Sequence, residues 1–154
     1  MFLETILRLN NILLIYLQMQ LNLNLNHKIL IVDDNQVIQK LLTKTLNDFG
    51  LFNIVNAYDG LEGSTIYLEH FNLNPLDRFT IVLMDQEMPV MNGNDATKII
   101  IKKDSSAIII GITGNILMED KNKFIESGVM EIFEKLITKE KLLNILQNPS
   151  YIKN

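Results

Sequence analysis

The chain has 154 residues and a formal net charge of −4. This length suits one domain with a single hydrophobic core, and the acidic balance predicts no nucleic-acid-binding surface. Cysteine is absent, which excludes disulfides and thiolate chemistry and fits a reducing compartment, so we expect a cytoplasmic protein.

Residues 1–26 form a Leu- and Asn-rich N-terminal extension. Charged residues, Glu4 and Arg8 among them, interrupt its apolar stretch, whereas a membrane span needs about 20 predominantly apolar residues. There is no basic start or small-residue cleavage site of a signal peptide. The segment could be an amphipathic helix or linker, a weakly membrane-associating segment or a disordered tail, and we expect no membrane contact through it. Leucines at helical spacing favour the first reading: Leu3, Leu7, Leu14, Leu17 and Leu21.

From Lys28 onward, short apolar runs alternate with apolar residues at helical spacing. The runs predict five strands, at 28–32, 52–56, 80–85, 107–112 and 129–133. The helical patterns predict five helices, at 37–49, 61–70, 93–103, 116–127 and 139–146. Gly50, Gly128 and Pro149 supply stop signals, and residues 72–75 predict a loop.

This alternation predicts an α/β fold with a doubly wound five-stranded parallel sheet covered on both faces. Right-handed crossovers favour the flavodoxin-like strand order 2-1-3-4-5, whose switch point lies between the first and third strands. Asp33 and Asp34 follow the first strand and Asp85 ends the third, so these carboxylates share one crevice. Thr113 lies one strand further on, and Lys135 reaches in from the outermost strand.

Each acidic residue also has a purely structural reading, as a helix cap or a turn residue. Three carboxylates in one crevice repel each other, however, and so favour a bound cation. Ligands that are all oxygens suit a hard ion such as Mg²⁺. We expect Asp34 and Asp85 to be direct ligands, with Asp33 acting through water and the backbone carbonyl of Glu87 completing the set.

A magnesium site of this kind points to phosphoryl transfer. One carboxylate, Asp85, can then act as nucleophile and form an acyl phosphate. The Thr113 hydroxyl and the Lys135 ammonium are candidate donors to the phosphoryl oxygens. No Gly-rich phosphate loop of either common type is present, so we expect no direct binding of ATP or a dinucleotide.

Four stretches carry a resemblance to a known family: Ile-Leu-Ile-Val-Asp-Asp-Asn, Leu-Met-Asp-Gln-Glu-Met-Pro-Val-Met-Asn-Gly, Gly-Ile-Thr-Gly-Asn and Phe-Glu-Lys. They resemble the receiver domain of two-component response regulators, most closely the receivers of hybrid histidine kinases and phosphorelays. The resemblance runs from about Lys28 to Gln147. It implies a CheY-like receiver domain at residues 27–148, with a C-terminal tail at 149–154.

The resemblance also implies a function. Asp85 would accept a phosphoryl group from a phosphohistidine of a histidine kinase or a histidine phosphotransfer protein, with Mg²⁺ held by Asp33, Asp34 and Asp85. Thr113 would swing toward the phosphoryl group and Lys135 would pair with it. The resulting change in conformation and partner affinity is signalling rather than enzymatic turnover.

The chain departs from the family at two positions near the lysine. Leu136 stands where the family usually has proline, commonly after a cis bond. Ile132 occupies the place of the aromatic switch residue, and the neighbouring Phe133 faces the other way in a strand. We therefore expect phosphorylation to survive and its readout to be weakened or built differently. Glu87 and Asn115 flank the site and are expected to tune the lifetime of the phosphate.

Two other functions stay open. A Mg²⁺-dependent aspartyl-phosphate phosphohydrolase would want a second Asp two residues after the nucleophile, where this chain has Glu87. A pseudo-receiver would serve only as an interaction domain. His27 and His70 lie away from the strand ends and are predicted to be surface residues. Only seven residues follow Gln147, so we expect no output domain here, in either a stand-alone receiver or a piece of a hybrid kinase.

Overall fold

The computed structural model describes residues 3–6, 26–114 and 117–151. Residues 3–6 are helical; otherwise the predictions for the N-terminal extension, like the one for Asn115, lie outside the described residues. No helix in the described ranges combines the length and apolar character needed to cross a membrane.

Five short strands form one parallel sheet, and their order, β2-β1-β3-β4-β5, confirms the predicted order. Every neighbouring pair is parallel, as strands joined by crossover helices must be. The strand bounds are β1 Ile29–Val32, β2 Ile54–Ala57, β3 Ile81–Asp85, β4 Ile109–Thr113 and β5 Glu131–Glu134.

Five helices connect and cover the strands: α1 Gln36–Asp48, α2 Gly60–Leu73, α3 Gly93–Lys103, α4 Met118–Ser127 and α5 Lys139–Gln147. Single 3₁₀ turns lie at Pro75–Asp77 and Pro149–Tyr151. Helix α4 is capped at its C-terminus by Gly128, whose φ of 114° lies in the left-handed region that glycine enters without steric cost.

The hydrophobic core has two layers, one on each face of the sheet. Alternation along β1 divides its residues between them, with Ile31 facing α1 and α5 and Leu30 facing the other three helices. All five residues of β3 are buried because helices cover both faces of this central strand. The buried strands therefore form a rigid base for whatever their carboxyl ends carry.

The prediction that His27 lies on the surface is wrong. Its side chain is 1% exposed, and Nδ1 lies 2.9 Å from Oγ1 of Thr80 at the entrance to β3. His70, also predicted on the surface, is half-buried, with Nδ1 2.8 Å from Oδ2 of Asp77. Thr80 is 53 residues from His27 in the sequence, so local pattern gave no sign of that contact.

Candidate functional site

Three carboxylates meet at the carboxyl end of the sheet and are called here the acidic cluster: Asp33, Asp34 and Asp85. One oxygen from each lies within 4.8 Å of the others. Asp33 and Asp85 are buried and Asp34 is exposed, so solvent reaches the cluster at Asp34. The order of β1 and β3 brings the three together, because Asp33 directly follows β1 and Asp85 is the last residue of β3.

The ammonium of Lys135 lies against the acidic cluster. Its Nζ is 2.8 Å from Oδ2 of Asp33 and 2.8 Å from Oδ2 of Asp85. Lys135 comes directly after β5, and its backbone N–H donates to the carbonyl of Thr113 at 2.9 Å. The Lys135–Leu136 peptide bond is cis.

Burial and charge act on these groups in opposite directions. Burial raises the pKa of Asp85 to about 6, while the hydrogen bond and charge of Lys135 and a backbone hydrogen bond from Glu87 oppose the rise. Burial lowers the pKa of Lys135, but hydrogen bonds to Asp33 and Asp85 outweigh it and raise that pKa overall. The site therefore holds a charged lysine between two carboxylates.

Backbone contacts fix Asp33 in place. The N–H of Asn35 donates to its Oδ1 at 2.8 Å, and the Asn35 side chain in turn caps α1 by accepting from the N–H of Val37. The buried Gln39 amide donates to the carbonyls of Asp33 and Ala57, both at 2.7 Å. The start of α1 thus positions the first carboxylate and joins β1 to β2.

The loop after β3 folds tightly around Asp85. The N–H of Gly93 donates to the carbonyl of Gln86 at 2.8 Å. A Cβ at Gly93 would lie 2.0 Å from the backbone oxygen of Asp85, so only glycine fits there. Val90 has a φ of 65°, a left-handed conformation that is uncommon for a β-branched residue. This loop brings the backbone of Glu87 to the Asp85 carboxylate.

Thr113, at the end of β4, is fully buried and lies opposite Glu134 of β5. Ile132 packs in the core layer that contains α4, whereas Phe133 packs in the opposite layer. The aliphatic Ile132, paired with Gly111 of β4, thus lies on the side of the sheet that α4 covers.

The sequence did not single out Gln86, which follows Asp85 directly. This residue is only 5% exposed, and its Nε2 donates to the backbone carbonyl of Asp120 in α4 at 2.8 Å. A polar residue directly after a buried strand was the available signal. Its partner could not be inferred, because Asp120 lies 34 residues further along the chain.

Curated proteins with similar sequences include a two-component response regulator and a hybrid histidine kinase. The chain is 34% identical over 122 residues to two-component response regulator 24 of Arabidopsis thaliana, covering 79% of this chain and 83% of that protein. It is 33% identical over 123 residues to hybrid signal transduction histidine kinase I of Dictyostelium discoideum, covering 77% of this chain but only 7% of the kinase.

Solved structures show the same fold. The receiver domain of sensor histidine kinase PA1611 from Pseudomonas aeruginosa PAO1, solved with a magnesium ion coordinated in its active site cleft, is 27% identical. The match covers 79% of this chain and 94% of that one, with a TM-score of 0.69. A chain of the CheX–CheY–BeF₃–Mg complex from Borrelia burgdorferi is 28% identical, covering 77% of this chain and 84% of that one, with a TM-score of 0.68.

The sheet order, the acidic cluster and the lysine define a doubly wound α/β domain with an acidic site at the switch point of its sheet. The family model of the response regulator receiver domain matches residues 29–147. The chain therefore belongs to the response regulator receiver domain family, which confirms the resemblance stated from its sequence motifs.

Proposed function

We propose that this chain is a phosphoacceptor module of a phosphorelay, in which Asp85 accepts a phosphoryl group from a phosphohistidine. The proposal rests above all on Lys135, whose Nζ lies 2.8 Å from both Asp85 and Asp33. A buried carboxylate at a strand end, next to a fixed cation, has the placement that a phosphoryl acceptor needs.

The chemistry follows from these positions. A carboxylate oxygen of Asp85 attacks phosphorus, the P–N bond of the phosphohistidine breaks, and the imidazole leaves and takes up a proton. Lys135 stabilises the charge on the phosphoryl oxygens, and the Thr113 hydroxyl is proposed to turn toward them. The partner is a histidine kinase or a histidine phosphotransfer protein, and the chain catalyses no turnover besides its own phosphorylation and dephosphorylation.

The acidic cluster fits Mg²⁺, because it offers only carboxylate oxygens and they lie within 4.8 Å of one another. We propose Asp34 and Asp85 as direct ligands, Asp33 as a ligand through water, and the Glu87 carbonyl as a further ligand. A bound Mg²⁺ would offset the negative charge of the carboxylates and of the incoming phosphoryl group. Glu87 and Asn115 are proposed to set how long the phosphate survives.

The test is phosphorylation by acetyl phosphate, followed by intact-protein mass spectrometry. The wild type is expected to gain one acid-stable, hydroxylamine-labile phosphate in Mg²⁺ and none when EDTA removes the metal. Asp85→Asn should gain none, because it lacks the nucleophile. Asp95→Asn, which neutralises an exposed carboxylate at the start of α3, is the matched control and should behave as the wild type.

Two results would redirect the proposal. A folded wild type that takes up no phosphate favours the pseudo-receiver, a reading that the aliphatic Ile132 supports. Steady release of phosphate from phosphate monoesters, lost in Asp85→Asn, favours the phosphohydrolase.

A further inference from the structure

Both members of the Asp85–Lys135 ion pair have a direct chain neighbour that contacts helix α4. On the Asp85 side the neighbour is Gln86, whose Nε2 donates to the backbone carbonyl of Asp120 at 2.8 Å. Gln86 itself is buried, and the same Nε2 lies 3.4 Å from Oδ1 of Asn94 in α3. Gln86 therefore holds the loop of the phosphoacceptor against the first turns of α4.

On the Lys135 side the neighbour is Glu134, the last residue of β5. Its Oε1 lies 2.9 Å from Nζ of Lys121, which is the residue after Asp120 in α4. Two consecutive residues of α4, Asp120 and Lys121, thus contact the chain neighbours of Asp85 and Lys135. Asp85 and Lys135 in turn form an ion pair with each other. Each member of that pair is therefore one residue away along the chain from a residue that contacts α4.

The Gln86 side chain also has an unsatisfied atom. Its buried Oε1 has no hydrogen-bond partner among the described residues. A buried acceptor without a donor costs free energy, so an arrangement of the loop that supplies a donor gains from it.

We propose that Gln86 and the Lys121–Glu134 pair form the link through which the state of the Asp85–Lys135 pair reaches helix α4. This link takes the role of the aromatic switch residue, because the chain has the aliphatic Ile132 at that position. The link repositions the apolar side chains that α4 presents to solvent. Among them, Met118 is 72% exposed and Ile125 is 55% exposed. The phosphorylation arm of the test rests on the proposed function, whereas the coupling itself does not.

The first experiment needs no phosphate. Amide hydrogen exchange of α4 is measured by mass spectrometry in four proteins: the wild type, Asp85→Asn, the double variant Gln86→Leu/Lys121→Met, and the variant that combines all three changes. In the wild-type background, Asp85→Asn breaks the ion pair and should change exchange in α4 by about fivefold or more, the lower end of usual coupling strengths. Without the link, the same change should fall below about twofold.

Lys123→Met is the matched control for Lys121→Met. Lys123 also lies on α4, but among the described residues it forms ion pairs with Glu119 and Asp120 of the same helix. In that background the response of α4 to Asp85→Asn should stay at its wild-type size. Circular dichroism checks folding; should Gln86→Leu fail to fold, Gln86→Glu keeps the side-chain size and removes the Nε2 donor.

The second arm repeats the exchange measurement on protein phosphorylated with acetyl phosphate and Mg²⁺. The double variant should take up as much phosphate as the wild type while its α4 no longer responds. An equal response of α4 in both backgrounds, or none in the wild type, overturns the link. No phosphate on Asp85 together with a clear result in the first arm overturns the proposed function and leaves the link standing.

Discussion

At the scale of single residues, backbone groups hold the site as firmly as side chains do. The Asp33 carboxylate accepts from the N–H of Asn35, and the Asp85 carboxylate accepts a backbone hydrogen bond from Glu87. Gly93 packs so closely against the backbone carbonyl of Asp85 that a side chain at position 93 would not fit. The position of the proposed nucleophile therefore depends on a residue that has no side chain at all.

Gly93→Ala tests this dependence. The new Cβ would lie 2.0 Å from the Asp85 backbone oxygen, so the loop must shift. We expect a loss of about 2 kcal/mol in the free energy of unfolding, measured with urea, which is typical of overpacking. Gly114→Ala is the control: among the described residues a Cβ there meets nothing within 4 Å, and its effect should stay within about 0.5 kcal/mol. Equal losses in the two variants would contradict the steric argument.

His27 predicts a dependence of stability on pH. Burial lowers its pKa, while the nearby Leu146 carbonyl opposes the shift, so the folded protein binds a proton here less readily than the unfolded chain. The stability that His27 contributes is therefore present above the unfolded pKa, about 6.5, and is lost as the pH falls below it toward the folded pKa. Urea unfolding between pH 7.5 and 5 should show this loss, and His27→Gln should show a smaller one. Parallel curves for the two proteins would refute the assignment to His27.

The sequence predicts the acidic cluster but not all of its surroundings. Asp33, Asp34 and Asp85 could be brought together because strand order alone fixes which strand ends are neighbours. Gln86 and His27 could not be placed, because their contacts with Asp120 and Thr80 join elements that are far apart in the chain. Side-chain contacts between separate elements leave no periodic trace in a sequence.

At the scale of elements, the accuracy of the predicted helix and strand bounds depends on how clearly the sequence marks the end of each element. Helix α3 begins at Gly93 and ends at Lys103 as predicted, since Asn92 caps it. Helix α2 continues three residues past its predicted end, to Leu73. The predicted loop at residues 72–75 is instead the end of this helix and the start of a 3₁₀ turn, which Asn74 caps. Strand β4 begins at Ile109, two residues after its predicted start. Ala107 and Ile108 are buried, but they precede the strand.

The cap of α3 gives a prediction at this scale. Oδ1 of Asn92 accepts from the N–H of Asp95 at 2.9 Å. Asn92→Ala leaves that N–H without its capping partner and should lower the free energy of unfolding by about 1 kcal/mol. Asn92→Ser keeps an oxygen in the capping position and should recover most of the loss. Equal stabilities of the Ala and Ser variants in urea would show that the cap does not stabilise the helix.

At the scale of the whole molecule, the alternation of strands and helices was enough to predict the sheet order. Parallel strands joined by right-handed crossovers leave few arrangements, and the observed order is the predicted one. The family match ends at residue 147, yet Tyr151 packs in the core layer of α1 and α5. Its hydroxyl donates to the carboxylate of Glu131, and burial together with Glu131 raises the pKa of Tyr151 to about 12.

Tyr151 should therefore contribute to the stability of the whole domain. Tyr151→Ala is expected to lower the free energy of unfolding by about 3 kcal/mol, because it leaves a cavity in the core. Tyr151→Phe keeps the ring and loses only the hydrogen bond to Glu131, so about 1 kcal/mol is expected. Thermal or urea unfolding measures both losses. A Tyr151→Ala variant as stable as the wild type would place this residue outside the cooperative unit.

The placement of Lys135 has a consequence for local unfolding. Asp33 and Asp85 are carried by β1 and β3, which are paired on both sides, whereas Lys135 follows β5, an edge strand with both end residues exposed. Edge strands open more readily than central ones in native proteins. A local opening of β5 would withdraw the ammonium while both carboxylates stay in place. The acidic cluster would then lack the positive charge of Lys135, and its attraction for a divalent cation would increase.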